Sequence, residues 1–145
     1  GIRLMANTIQ VEIVSAEQQI YSGLAEMVFA PGELGEVGIA PGHTPFVTKM
    51  GPGEVRVKDA EGKESAFYIS GGMLEVQPTV VTVLSDTAQR AEDLDEAAIL
   101  KAKEDAENAF HEKGDAIDYA KARASLSETA AQLQTIQRLR KRAGR

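Results

Sequence analysis

The sequence predicts an α+β chain in two parts. An antiparallel β-sandwich or flattened barrel covers residues 5–88, and an antiparallel α-helical hairpin covers residues 89–145. Three observations carry this reading. All five prolines lie at or before Pro78, and the last valine is Val83. Beyond residue 87 stand fourteen alanines, with no valine and no proline. β-Branched residues suit a pleated strand and alanine suits a helix, so the change in composition marks a change in structure. Finally, the first part breaks into short apolar runs separated by turn residues, the spacing of small sandwiches and barrels. A unit of roughly 80 residues closes only a marginal core, so burial against partners would help it. Residues 1–4 precede Met5 and read as a remnant foreign to the native chain.

The strands follow in order. "TIQVEIV" (Thr8–Val14) puts Ile9, Val11 and Ile13 on one face, the period of two that a half-buried strand requires. Further runs are Ala25–Ala30, Pro45–Met50, Glu54–Asp59, Ser65–Ser70, Met73–Gln77 and Thr79–Asp86. "GPG" at 51–53, "AEG" at 60–62, "GG" at 71–72 and "QP" at 77–78 separate them as turn signals.

Two helices follow. In "DLDE" (93–96), Asp93 with Glu96 three residues on resembles a capping box. The first helix is expected from about Leu94 to Glu112, with Gly114 as its terminator. Asp115 caps the second helix, with Asp118 in its first turn, where the dipole favours an acid. A connection this short makes an antiparallel hairpin. The expected apolar stripes are Leu94, Ala98, Ala102, Ala106 and Ala109 against Ala122, Leu126, Ala130, Leu133 and Ile136. Alanine ridges approach closely but bury little area, so at about 25 cal/mol per Å² the hairpin is easy to open.

Composition excludes several classes. The net charge of −6 argues against general nucleic-acid binding. With no cysteine there is no disulfide, thiolate zinc site or cysteine nucleophile. No apolar run approaches the roughly 18–20 residues that span a bilayer, so no direct membrane insertion is expected, and no secretory signal is visible. The charge is uneven. Residues 129–145 hold no acid and five bases, Arg138, Arg140, Lys141, Arg142 and Arg145. That end reads either as a solvated, frayed tail or as a clamp for an acidic partner surface. His43 and His111 are the only histidines and fall in different parts. No HExxH or GxSxG arrangement is present, so neither catalysis nor a metal site is expected.

The stretch "GELGEVGIAPGHTPF" (Gly32–Phe46) has a GxxGxxG rhythm. A phosphate loop would open directly into a helix, which Pro41 and Pro45 forbid. The stretch is therefore expected to be a turn-rich connection. Functionally it would be a protruding lobe with an apolar tip at Val37 and Ile39, an acid at Glu36 and a rigid bend at Pro41–Gly42.

Five motifs in order, "VSAEQQIYSGLAE" (14–26), "GEVGIAPGHTPF" (35–46), "YISGGMLEVQP" (68–78), "VTVLSDTA" (81–88) and "DLDEA" (93–97), closely resemble the ε subunit of bacterial F-type ATP synthases from Met5 to about Leu139. The resemblance implies a β-sandwich on the central stalk, bound to the γ subunit and the c-subunit ring, and a hairpin that folds down or extends toward the catalytic head. Extended, the hairpin blocks ATP hydrolysis in many members. On this resemblance Glu36, Val37, Gly38, Ile39, Pro41, Gly42 and His43 form the lobe facing the c ring, and Ser15 and Thr48 lie close to γ. Arg138, Arg140, Lys141 and Arg142 would meet an acidic loop of the catalytic β subunit.

One departure bears on ligands. Some members bind ATP through an "[IL]DxxRA" motif at the start of the first helix. Here "LDEAAI" (94–99) keeps Asp95 but has Ala98 in place of the arginine. Glu128 and Gln132 stand where ATP-binding members place arginines. Ala98 offers no donor and Glu128 repels phosphate, so ATP binding is expected to be weak or absent, with no cofactor. The expected function is a non-catalytic rotor subunit coupling ion flow to ATP synthesis, peripheral on the cytoplasmic face of the bacterial inner membrane, whose hairpin restrains hydrolysis. A nucleotide-sensing module, disfavoured by Ala98, and a static scaffold are the alternatives.

Overall fold

The computed structural model describes residues 7–112 and 114–144. The leading residues 1–4, read as a remnant, lie outside the described residues. The chain divides after Arg90 into two compact units.

Among its described residues the first unit holds ten strands: β1 (Ile9–Ser15), β2 (Gln19–Ala25), β3 (Met27–Gly32), β4 (Gly35–Ile39), β5 (Phe46–Met50), β6 (Gly53–Lys58), β7 (Glu64–Ile69), β8 (Gly72–Val76), β9 (Val80–Ser85) and β10 (Ala88–Arg90). Hydrogen bonding runs β10-β7-β6-β3-β5-β8-β9-β1-β2, with β4 on β3. The join between β3 and β5 is a single register pair, Gly32 with Met50. The path therefore bends there into two layers, β10-β7-β6-β3-β4 and β5-β8-β9-β1-β2, and its ends β10 and β2 lie against one another. This is the expected sandwich. Its pairing is antiparallel except between β1 and β9, which run parallel from Gln10–Val80 to Ser15–Ser85.

The core is what the alternation dictates. Ile9, Val11 and Ile13 are fully buried and meet Val28, Val55, Val57, Phe67, Ile69, Leu74, Val81 and Val83. Three strands were not expected. β2 carries Gly23 and polar residues because it closes one end of the path and shows much of itself to water. β10 is short and pairs with β7. β4 lies in the glycine-rich stretch read as a connection.

The "GG" turn is a packing requirement as well. Gly72 has φ +141, and a Cβ there would lie 1.9 Å from the carbonyl oxygen of Leu84. Only glycine lets β8 start so close to β9.

The second unit opens with a 3-10 turn (Ala91–Asp93), followed by α1 (Glu96–His111) and α2 (Ala116–Ala143). The N-cap of α1 is Asp95, not Asp93: its carboxylate accepts from the Ala98 N–H at 3.2 Å. The turn at 91–93 delays the helix, with the Leu94 N–H donating to the Ala91 carbonyl. Asp115 caps α2 as expected, accepting from the Asp118 N–H at 2.9 Å. α2 runs 28 residues and packs along both α1 and the 3-10 turn. The basic end is helical through Ala143.

The buried faces differ from the expected stripes. On α1 the buried residues are Ile99 and Ala106, while Ala98, Ala102 and Ala109 are exposed. On α2 Ala122 and Ile136 are buried as expected, but Thr129 is buried in place of Ala130. Alanine side chains are too short to close the hairpin near its turn. Ala102, Ala106, Ala109 and Ala122 line an open groove of about 500 Å³ there. Thr129 and Thr135 tolerate burial because each hydroxyl donates to a carbonyl of the preceding turn, Ser125 at 3.0 Å and Ala131 at 2.9 Å.

Candidate functional site

The glycine-rich lobe is a β-hairpin. β3 and β4 pair from Val28–Ile39 to Gly32–Gly35, leaving a two-residue turn of Glu33 and Leu34. Gly35, which follows the turn and opens β4, has φ +130, a conformation that favours glycine. Leu34 at the tip is fully exposed, whereas Ile39 is fully buried and Val37 packs on the core. The expected apolar tip at Val37 and Ile39 is thus wrong. Alternation turns both residues inward, and the apolar tip is Leu34. The sequence held the signal in Val37 and Ile39 at a spacing of two, flanked by the Gly-x-x-Gly turn.

The outer face of this hairpin carries one charge cluster. The Arg56 guanidinium lies 4.3 Å over the ring of Phe29. It donates to both carboxylate oxygens of Glu36, at 3.2 and 3.3 Å, and stands 3.6 Å from both Glu54 and Glu64. Gly38 sits opposite Phe29 in the ladder, and a Cβ there would press on Met27 Cε at 3.0 Å and the Phe29 ring at 3.4 Å. Gly38 therefore makes room for the ring that supports Arg56, and Arg56 fixes Glu36.

Pro41 and Gly42 form the bend after β4. Gly42 has φ +82, and its N–H donates to the Pro78 carbonyl at 2.9 Å. The His43 ring packs on Phe46 at 5.3 Å, with Nδ1 2.7 Å from the Thr44 carbonyl oxygen. Ser15 closes a turn, its hydroxyl paired with the backbone of Gln18. Thr48 is half-buried in β5, and its hydroxyl donates to the Lys49 carbonyl. On β1 and β2, Glu12 accepts from Gln10, Ser22 and Gln19. Nearby, Tyr21 packs on Phe67 at 5.3 Å. Burial, then the Asp59 charge, raises its pKa above the ordinary 10.0.

In the helical unit, Arg138, Arg140, Lys141 and Arg142 occupy the last turns of α2. Arg140 makes a two-pronged ion pair with Glu96 in the first turn of α1, at 2.9 and 3.0 Å. Hydrogen bonding to Glu96, then its charge, raises the Arg140 pKa above the usual value. Asp95 is spent on capping, Ala98 is exposed, and Glu128 and Gln132 are half-buried on α2. Among the described residues, no group of three histidines, cysteines or acids could hold a metal ion, and no helix is long and apolar enough to cross a membrane.

The fold defines a two-part protein, with a β-sandwich bearing a hairpin lobe and a helical hairpin with a basic end. Two family models match the chain: the β-sandwich domain of the ATP synthase delta/epsilon chain over residues 8–91, and its long alpha-helix domain over residues 92–137. The chain belongs to the ATP synthase delta/epsilon family. The ATP synthase epsilon chain of Nitrosococcus oceani is 59% identical over 140 residues, 97% of this chain and 100% of that one. That of Alkalilimnicola ehrlichii is 55% identical over 139 residues, 96% and 99% of the two chains. Among solved structures, a chain of the Euglena gracilis mitochondrial ATP synthase (OSCP/F1/c-ring) superposes with TM-score 0.82 at 22% identity, covering 90% of this chain and 82% of that one. A chain of the Tetrahymena thermophila enzyme (central stalk/c-ring) gives 0.62 at 10%, covering 88% and 96%. The chain is thus a non-catalytic epsilon-type subunit of the ATP synthase complex, and its family serves ATP synthesis coupled to ion transport.

Proposed function

We propose that this subunit links the γ subunit to the c-subunit ring in the central stalk, and that its helical hairpin restrains ATP hydrolysis by changing conformation. The observation that carries the reading is the match of both domains to one family along residues 8–137, with epsilon chains more than half identical over nearly the whole length. The similar chains from Euglena and Tetrahymena belong to assemblies that include the c ring. The β3–β4 lobe meets the c ring through its tip and Glu36, with Gly38, Pro41, Gly42 and His43 shaping it. Ser15 and Thr48 face γ. Arg138, Arg140, Lys141 and Arg142 meet an acidic surface of the catalytic β subunit. The complex holds the chain peripherally on the cytoplasmic face of the bacterial membrane. Nucleotide binding to the hairpin is weak or absent, because Ala98 provides no cation and Glu128 is an acid where ATP-binding members place an arginine. A dissociation constant in the micromolar range by calorimetry would overturn that last point.

The test is ATP hydrolysis by a matching catalytic head stripped of this subunit, then given back either the full chain or a chain ending at Arg90. Inhibition by the full chain alone assigns the restraint to the hairpin. Equal rates, with both forms bound to γ, remove the inhibitory role and leave coupling. Failure of both to bind overturns the reading.

A further inference from the structure

We propose that the Glu96–Arg140 ion pair is a latch that holds the hairpin closed by occupying a basic side chain that an acidic partner needs. The two residues are 44 positions apart, and the pair joins the first turn of α1 to the last turns of α2. Both guanidinium NH2 groups are used, one on each carboxylate oxygen, at 2.9 and 3.0 Å. The Glu96 carboxylate engages two of the five N–H donors and offsets the positive charge, so the pull of Arg140 on a second carboxylate is weakened. Arg140 therefore has two competing uses: it binds Glu96 in the closed hairpin, or it binds an acid elsewhere with its full charge once the hairpin opens.

The location suits a latch. Helix packing near the turn is left open by alanines, so the hairpin is held mainly at its other end, where Ile99, Thr135 and Ile136 are buried close to the pair. Glu96 is an acid at a helix N-terminus and Arg140 a base at a helix C-terminus. Each is already favoured by its own helix dipole, and the antiparallel arrangement brings them together. The pair is largely exposed, with side chains 64% and 37% accessible. Its contribution is correspondingly small and screened by salt, which suits a contact that must be broken reversibly.

The regulatory meaning of the latch rests on the inhibitory reading above, but the latch itself does not. The chain contains no cysteine, so Leu100→Cys with Gln134→Cys carries two unique spin labels on exposed sites of α1 and α2. Distances are measured on the full chain for the parent, Glu96→Gln, Arg140→Gln and the double variant, with circular dichroism to check helix content. We expect each single change to raise the open-to-closed ratio roughly two- to fivefold. The double variant should be no more open than either single one, and high salt should do the same to the parent. Additive effects, or a parent distribution that salt does not move, overturn the latch. The salt arm decides the matter even where a variant loses helix.

The same variants on the stripped catalytic head test the regulatory meaning separately. Glu96→Gln frees Arg140 and should deepen inhibition roughly two- to fivefold, whereas Arg140→Gln should not. Opening without any change in hydrolysis leaves the latch standing and removes the inhibitory reading.

Discussion

Arg56 lies 4.3 Å over the ring of Phe29 while donating to both carboxylate oxygens of Glu36. An acid expected to face a partner is thus held by its own sheet, on a platform that exists because Gly38 leaves space for the ring. The Glu54 side chain beside Arg56 is only 1% accessible. Removing the cation therefore takes one ion-pair partner from a buried carboxylate and frees Phe29. Arg56→Ala should lower the stability of the β-sandwich by about 1–3 kcal/mol. Glu36→Gln, which touches the exposed side of the cluster, should cost at most about 1 kcal/mol. Urea unfolding of the two variants checks the contrast.

Gly72 and Gly38 separate two reasons for glycine. At Gly72 a Cβ meets the Leu84 backbone at 1.9 Å and φ is +141, so nothing can yield without parting β8 from β9. Gly72→Ala should cost about 3 kcal/mol or more. At Gly38 the nearest atom is the end of a methionine side chain, which can move. Gly38→Ala should cost about 1 kcal/mol or less. Thermal unfolding of both variants distinguishes them.

Tyr21 gives the sandwich an alkaline limit. Its pKa is raised by burial and by Asp59 above the ordinary 10.0 that the unfolded chain keeps. Below about pH 10 the phenol is protonated in both states, and its contribution is fully present. As pH rises further the unfolded state ionises first and stability falls until the folded phenol also ionises. Tyr21→Phe should flatten this part of the profile. Unfolding midpoints of the parent and the variant from about pH 9 to 11 would show no difference in slope if the phenol stayed in water-like surroundings.

Asp95 and Asp115 each satisfy an orphan N–H at a helix start. Asp95→Ala and Asp115→Ala should each cost the hairpin about 1 kcal/mol, read as loss of helical dichroism at lower temperature. An unchanged melt for Asp95→Ala would return the cap to the stretch before it.

The sequence by itself determined the division into a strand-rich and a helix-rich part, the core face of β1, the cap at Asp115 and the family. These rest on local periodicity, on the propensities of valine and alanine, and on ordered motifs. The tertiary structure alone decided the rest. The glycine-rich stretch becomes strand β4 because β3 lies ready to pair with it, and pairing turns Val37 and Ile39 inward. β1 and β9 run parallel because the sandwich brings distant segments together in a way no local pattern records. Asp95 replaces Asp93 as the cap because a 3-10 turn intervenes. The helix faces keep Ala106 and Ala122 of the alanine stripe but take in Ile99 and Thr129, because burial follows what a neighbouring helix can cover. Arg56 with Glu36, and Arg140 with Glu96, are separated by 20 and 44 residues. Their partnership is set by how the chain returns on itself, a property of the folded chain and not of any short stretch.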